Sequence, residues 1–373
     1  MEGKHRRILR IPSHRQLRRA DFRGKRVLVR LDLNVPVKDK KILDMKRIDA
    51  VMPTIKKIME RGAKQINIIC HLGRPVGVES NLSTLILAEE IRRRLRTKGG
   101  IIKTDNDYKS PSLKISYRVY KNIELFENLR FDKREEENSE QFAKELAELG
   151  DVFVLDAFAN IHRRHASMDK LQDQLETFAG LLMEREINSL FKILYAPERP
   201  FVSVIGGAKY TDKIPVIRSL SKICEAVLVG GKTANEMILE KEEKIANVFL
   251  PSDGINKAGA LVDVSPEEIK KGIFDIGPKT IMHFKSILSS AKTIFFNGNL
   301  GMTENKKFIH GTNEISRFIT KMKVEAVASG GNTTDIVYDL GLEDRFSFIS
   351  TGGGATSDLI SGKKLPVLDK LLK

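Results

Sequence analysis

The stretch 199–213, RPFVSVIGGAKYTDK, restricts this chain more than any other. Phe201 to Ile205 are apolar and rich in β-branched residues, the signature of a strand buried on both faces of a parallel sheet. Gly206 and Gly207 break that strand, and the polar start and apolar spacing after Thr211 predict a helix. Lys209 and Lys213 stand four apart where the helix begins. Glycines let a ligand approach the backbone, helix-start N–H groups point at it, and two ammonium groups complete an anion site. Strand, glycine turn and helix in that order belong to α/β folds, and this turn is equipped as a polyphosphate cradle.

The first half of the chain keeps the same rhythm with different residues at the turns. RVLVRL over 26–31 predicts a strand that ends in Asp32-Leu33-Asn34-Val35-Pro36. Ile48, Val51, Met52, Ile55 and Ile58 recur at helical spacing over 47–59. A second strand over 65–70 runs into His71-Leu72-Gly73-Arg74-Pro75, and a helix over 83–98 follows. FENLRF at 126–131 carries Arg130, a helix is expected over 139–149, and a strand over 152–155 leads through Asp156 to His162-Arg163. Ligands of α/β sheets bind at the carboxyl ends of strands. Those ends hold Asp32, Asn34, His71, Arg74, Arg130 and Arg163, with Arg47 at a helix start. Arginines recurring at one sheet edge form a clamp for a compact, multiply anionic ligand.

An amphipathic helix over 177–194 and a proline-flanked turn then lead into the second half. Glycine turns recur at Gly206-Gly207, Gly230-Gly231, Gly330-Gly331 and Gly352-Gly353-Gly354, and Ser265-Pro266-Glu267-Glu268 reads as a capped helix start. A strand over 293–296 ends in Asn297-Gly298-Asn299-Leu300-Gly301. Charged clamps in one half and neutral glycine cradles in the other suggest one domain for a small charged substrate and one for a nucleotide. The stretch 226–233, AVLVGGKT, resembles a P-loop, but Val227, Leu228 and Val229 read as strand rather than as a nest around phosphates, which excludes that reading.

With 373 residues the chain is long enough for two domains, and 64 Lys and Arg against 49 Asp and Glu leave a net charge of +15. Such a balance suits nucleic acid or small anionic substrates. The basic residues are spread along the chain and Trp is absent, so a nucleic-acid-binding protein is the alternative reading and not the leading one. Cys70 and Cys224 have no metal-ligand spacing and lie in or beside apolar runs, as buried thiols of a reducing compartment do. The Arg-rich start lacks the apolar core of a secretion signal, and no run reaches the roughly 18 apolar residues of a membrane span. A cytoplasmic protein is expected. The seven histidines form no HExxH, and GxSxG is absent.

Seven motifs, in order, resemble those of phosphoglycerate kinases: RLDLNVP (30–36), HLGRP (71–75), FENLRF (126–131), DAFANIHRRHASM (156–168), RPFVSVIGGAKYTDKI (199–214), FFNGNLG (295–301) and STGGGA (350–355). The resemblance covers the chain from about Leu17 onward. It implies an α/β fold of two doubly wound, parallel-sheet (Rossmann-like) domains joined by a hinge helix. Phosphoglycerate would bind domain 1–178, with segment 360–373 packing back on it. Residues 179–195 would be the interdomain helix, and 196–359 the nucleotide-binding domain. The implied reaction is reversible phosphoryl transfer between 1,3-bisphosphoglycerate and Mg-ADP, giving 3-phosphoglycerate and ATP, by a monomer that closes on a hinge.

By the same resemblance, Asp32, Asn34, Arg47, His71, Arg74, Arg130, His162 and Arg163 bind phosphoglycerate. Gly207, Lys209, Lys213, Gly230, Gly277, Asn297, Glu304, Gly330, Gly331, Asn332 and Thr333 bind the nucleotide. Arg47, Lys209 and Lys213, with the loops at Gly331 and Gly353, would carry the transfer by positioning and positive charge. Three positions depart from the family pattern. Asn332 replaces the aspartate that usually binds Mg²⁺, Asn299 stands where proline is common, and Gly231-Lys232-Thr233-Ala234-Asn235 replaces a more apolar stretch. The first departure keeps a carbonyl oxygen for the metal but removes a charge, which leaves a catalytically impaired binder of phosphoglycerate or nucleotide as a second alternative.

Overall fold

The computed structural model describes residues 10–373, so the first nine of the basic N-terminal residues lie outside it. The described chain forms two compact units, residues 10–188 with 365–373 and residues 189–364.

In the first unit, β1 (Arg26–Leu31) is followed by a small hairpin, β2 (Val37–Lys38) and β3 (Lys41–Ile42), and by α1 (Lys46–Glu60). Next come β4 (Gln65–Ile69), α2 (Leu85–Arg94), β5 (Ile102–Asp105), α3 (Pro111–Lys114), β6 (Ile115–Tyr120) and β7 (Ile123–Phe126). The unit continues with α4 (Glu140–Ala147), β8 (Val152–Asp156), β9 (Thr177–Ala179) and α5 (Leu181–Tyr195). The strands make one sheet in the order β5-β6-β7-β4-β1-β8-β9. It is parallel from β7 through β9 and antiparallel at the β5–β6–β7 edge. The five apolar positions spaced along α1, Ile48, Val51, Met52, Ile55 and Ile58, are all buried against Val27, Val29, Ile66 and Ile68 of the central strands. Burial on that scale contributes on the order of 1.5–3 kcal/mol for each large aliphatic side chain.

Two helices are shorter than their spacing suggests. The 83–98 segment is helical only as Leu85–Arg94, because Arg96 takes a left-handed backbone (φ 51°) and Arg92 turns its guanidinium onto the Gly99 carbonyl. In the 177–194 segment, Thr177–Ala179 is a strand paired with β8, and the helix starts only after Gly180. Asp156 sets that start: its carboxylate accepts the Met183 N–H (2.8 Å) and the Thr54 hydroxyl (2.5 Å), and a Cβ at Gly180 would lie 2.2 Å from it.

The second unit runs β10 (Phe201–Ile205), α6 (Tyr210–Leu220), β11 (Ala226–Val229), α7 (Gly231–Leu239), β12 (Val248–Phe249), β13 (Asp253–Asn256), β14 (Leu261–Asp263) and α8 (Pro266–Lys271). It goes on through β15 (Ile273–Ile276), α9 (Pro278–Leu288), β16 (Thr293–Asn297), α10 (His310–Ile319), β17 (Glu325–Ser329), α11 (Gly331–Asp339), β18 (Phe348–Ser350) and α12 (Gly354–Ile360). Six strands form a parallel sheet, β12-β11-β10-β16-β17-β18, and β14-β13-β15 form a small antiparallel one. The α8 start is capped as read, with Ser265 Oγ accepting the Glu268 N–H at 3.3 Å. Strand order reverses between β10 and β16, the crevice where doubly wound sheets take their ligands. The chain ends in α13 (Pro366–Leu371), tied to the first unit by Lys370 Nζ, which pairs with Asp169 (2.7 Å) and Asp173 (2.6 Å). Both units are α/β and Rossmann-like.

Candidate active site

In the first unit the carboxyl ends of β1, β4 and β7 bring Asp32, Asn34, Arg47 and Arg130 into one hydrogen-bonded set around the loop that carries His71. Asn34, after β1, accepts the Gly73 N–H at 2.8 Å, while Arg130, from the turn after β7, donates to the Gly73 carbonyl at 2.6 Å. The loop carrying His71 is therefore held from both sides. Asn128 braces it further: its amide donates to the Leu72 and Leu82 carbonyls (2.7 and 3.0 Å) and its oxygen accepts the Leu72 and Arg130 N–H groups (3.2 and 3.1 Å). Arg47, in the first turn of α1, pairs with the buried carboxylate of Asp32.

The electrostatics of this cluster are strongly positive. Burial pushes His71 well below its ordinary pKa, and Arg30, Arg130, His165 and Arg163 push it the same way. His165 is lowered to about 3, again by burial first and then by Arg130, Arg30, Arg163 and His162. Both imidazoles are neutral, and the positive charge belongs to the guanidiniums. Arg130 meets Glu136 at 3.0 Å, whereas Arg163 is half-buried and has no carboxylate partner among the described residues. Arg74 lies in the exposed loop after Gly73 and is bonded to none of the other members.

Sequence reasoning passed over three members: Arg30, Glu135 and Ser167, all fully buried. Arg30 is visible as a lone cation inside the apolar run RVLVRL, and that is the signal which marks it. Nothing in the sequence ties it to Glu135 or Ser167, more than a hundred residues away.

In the second unit, a cleft of about 870 Å³ opens at the ends of β10, β16, β17 and β18. Its wall includes Gly207, Lys209, Lys213, Asn297, Glu304, Gly330, Gly331, Asn332, Thr333 and Gly353. The glycines here do two different jobs. A Cβ at Gly206 would meet the Asn299 carbonyl at 2.2 Å and one at Gly298 the Gly206 carbonyl at 2.0 Å, so the β10 and β16 turns pack backbone on backbone. At Gly331, Gly353 and Gly354 nothing lies within 4 Å of such a Cβ. Gly353 needs its freedom for a φ of +50° and ψ of −109° instead. Gly230 and Gly277 stand off the cleft wall. Their Cβ positions are taken by Leu300 (2.6 Å) and by the Asp253 carboxyl group (2.4 Å).

Lys209 is the cap residue of α6, and Lys213 follows one turn later. The Lys213 ammonium is bonded to the neutral Asn297 oxygen. Burial lowers its pKa to about 8, with Asp212 opposing. The far end of the cleft is more apolar, with Leu239, Ile269, Ile273, Phe274 and Met302. Lysines and N–H groups at one end and an apolar slot at the other fit a nucleotide's phosphates and base. The P-loop look-alike resolves as expected: Ala226–Val229 is buried strand, and α7 begins at Gly231.

No group of three or more His, Cys, Asp or Glu among the described residues is arranged to hold a metal ion. Asn332 donates its amide to Glu304 Oε1 at 3.1 Å and leaves one neutral carbonyl oxygen for a cation. Glu236 is occupied by Lys232 (3.5 Å) and Asp358 by Lys363 (2.5 Å). These residues do not build a protein-held magnesium site.

Such a pair of units, one charged clamp and one polyphosphate cradle, defines an α/β phosphotransferase. The phosphoglycerate kinase family pattern matches residues 17–271 and 236–363. The chain is 37% identical to the phosphoglycerate kinase of Dictyoglomus turgidum, covering 94% of this chain and 96% of that one. It is 35% identical to that of Herpetosiphon aurantiacus over 94% and 97%. Among solved structures, phosphoglycerate kinase from Coxiella burnetii superposes with a TM-score of 0.81 at 30% identity, covering 95% of this chain and 97% of that one. The Pyrococcus horikoshii enzyme gives 0.80 at 28% identity, over 95% and 98%. The chain belongs to the phosphoglycerate kinase family. Its reaction is the reversible transfer of a phosphoryl group between 1,3-bisphosphoglycerate and ADP, yielding 3-phosphoglycerate and ATP.

Proposed function

We propose that the first unit binds the phosphoglycerate and the second the nucleotide, with the division of labour written in their charges. The observation that carries this reading is Lys213, a half-buried, largely desolvated ammonium on the cleft wall whose one hydrogen-bond partner is a neutral amide. A buried cation without a counter-charge costs stability until an anion arrives, and a nucleotide phosphate supplies that anion. In the first unit, Arg163, Arg130 and Arg47, with the neutral donors Asn34 and His71, suit a small acid phosphate. Asp32 holds Arg47 in place and accepts from its guanidinium.

Phosphoryl transfer asks for in-line placement and for positive charge on the equatorial oxygens. Arg47, Lys209 and Lys213 supply that charge, and the backbone N–H groups at Gly331 and Gly353 supply donors. Gly207, Gly330 and Thr333 shape the phosphate end of the cleft, and Glu304 suits ribose hydroxyls. Magnesium enters with the nucleotide as part of the substrate, held chiefly by phosphate oxygens. The two buried, unpaired thiols, Cys70 and Cys224, suit a reducing compartment such as the cytoplasm.

Separate titrations of the full chain test the assignment. Arg163→Ala should weaken 3-phosphoglycerate binding at least tenfold and leave ADP binding within twofold, and Lys213→Met should do the reverse. If either substitution weakens both ligands equally, the division between the units is wrong.

A further inference from the structure

We infer that Arg30 is a positioning residue that locks His71 in the neutral tautomer protonated on Nε2, so that His71 meets the bound acid as a hydrogen-bond donor. The inference rests on the reading of the first unit as the phosphoglycerate site. Arg30 lies on β1, fully buried, and each arm of its guanidinium is fixed. Nη1 donates to the Leu31 carbonyl (2.5 Å), Nε to Ser167 Oγ (3.0 Å), and Nη2 faces His71 Nδ1 at 2.9 Å. A guanidinium has five N–H donors and no acceptor. His71 Nδ1 must therefore accept, and its ring proton must sit on Nε2. An imidazolium in the same place would set N–H against N–H and one buried cation against another.

The lock extends behind Arg30. Ser167 Oγ accepts from Arg30 and donates to Glu135 Oε1 at 2.6 Å, while the Ser167 N–H donates to Glu135 Oε2 at 2.9 Å. Glu135 is fully buried, so the chain Glu135, Ser167, Arg30, His71 has no freedom to rotate. The other charged or titratable groups around His71 are Arg130 from the turn after β7, and Arg163 and His165 from the loop after β8. All of them oppose a second proton on the ring. His71 Nε2 makes no hydrogen bond to any described residue, which leaves its proton for a carboxylate or hydroxyl oxygen of the ligand. This role is not general acid or base: His71 gives no proton away and keeps one orientation across the physiological range.

Long-range ¹H–¹⁵N correlation spectra of the full chain, labelled at histidine, read the tautomer directly. The expected result is a protonated Nε2 and an unprotonated Nδ1 for His71 from pH 5.5 to 8.5, with the Nε2 signal shifting when 3-phosphoglycerate is added. A titration midpoint inside that window, or a proton on Nδ1, would overturn the lock. A locked ring that ignores bound 3-phosphoglycerate would overturn the donor role. If 3-phosphoglycerate perturbs no signal of the first unit, it is the reading of that unit which has failed. Ser167→Ala should loosen Arg30, shift the His71 imidazole signals, and raise the KM for 3-phosphoglycerate three- to tenfold, more than it lowers kcat. Ser167→Thr, which keeps the hydroxyl, should restore the wild-type spectrum. A purely structural role for Ser167 would leave the imidazole signals unchanged.

Discussion

Replacing Lys213 by methionine should make the free protein more stable and at the same time abolish nucleotide binding. The side chain is desolvated and its partner, Asn297, is neutral, so its pKa falls from 10.5 to about 8. That difference means the charged form is disfavoured in the fold by about 3 kcal/mol relative to the unfolded chain. Methionine has similar length and no charge. Losing the bond to Asn297 costs about 1 kcal/mol, so a net gain of about 2 kcal/mol is expected at pH 7. The sign of the pH dependence follows from linkage. Between the folded value near 8 and the unfolded value of 10.5, the unfolded chain binds the extra proton, so wild-type stability rises with pH across that interval. The penalty is complete below pH 8 and falls under about 1 kcal/mol by pH 10. Urea denaturation of both proteins at pH 7 and pH 10, without ligand, makes the comparison. A Met variant that is no more stable than wild type at pH 7, or whose advantage does not shrink by pH 10, would falsify the claim that this lysine is held as an uncompensated charge.

Two further outcomes follow from the structure. Asn332→Asp exchanges a 3.1 Å hydrogen bond to Glu304 for two facing carboxylates, a repulsion of about 1 kcal/mol even in water that a bound cation relieves. The Mg²⁺ concentration giving half-maximal ADP binding should drop roughly tenfold, and an unchanged Mg²⁺ titration would refute this. Asp156 is pushed up to about 7 by burial, against an ordinary 3.8, so the fold holds a proton that the unfolded chain releases and stability falls as pH rises between those values. That loss amounts to up to about 4 kcal/mol, and Asp156→Asn, which imitates the protonated acid, should flatten this part of a melting-temperature profile taken from pH 4 to 8. A variant that keeps the wild-type slope would assign it to other groups.

What could be read from the sequence was whatever depends on local spacing. The five apolar positions of α1 and the glycine turns after β10, β11, β17 and β18 announce their elements, because a helix stripe and a strand-ending glycine are short-range signals. His71 was legible for the same reason, since it follows the apolar run 65–70 directly, and Arg130 and Arg163 lie in the turns a few residues beyond one. What depended on distant partners was not. Thr177 to Ala179 reads as the start of a helix, and only pairing with β8 and the Asp156 carboxylate filling the space beside Gly180 make it a strand. The antiparallel β14-β13-β15 sheet has half-exposed edges with weak alternation, and it escaped notice.

The two units solve the problem of holding an anion in opposite ways, and this explains why one is easy to disturb and the other is not. In the first unit three of the cations are matched inside the protein: Arg47 by Asp32, Arg130 by Glu136, and Arg30 through Ser167 by Glu135. Removing one partner strands a buried charge, which typically costs 3–5 kcal/mol. Substitutions at these three must therefore damage the fold and the site together, whereas Arg163, with no carboxylate partner among the described residues, can lose its charge without stranding another. In the second unit Lys213 has no such partner, and the loops around it are held by backbone contacts at Gly206, Gly231 and Gly298. Its charge can be removed without stranding another. Charge and stability are thus separable at Lys213 and coupled at Arg47, Arg130 and Arg30.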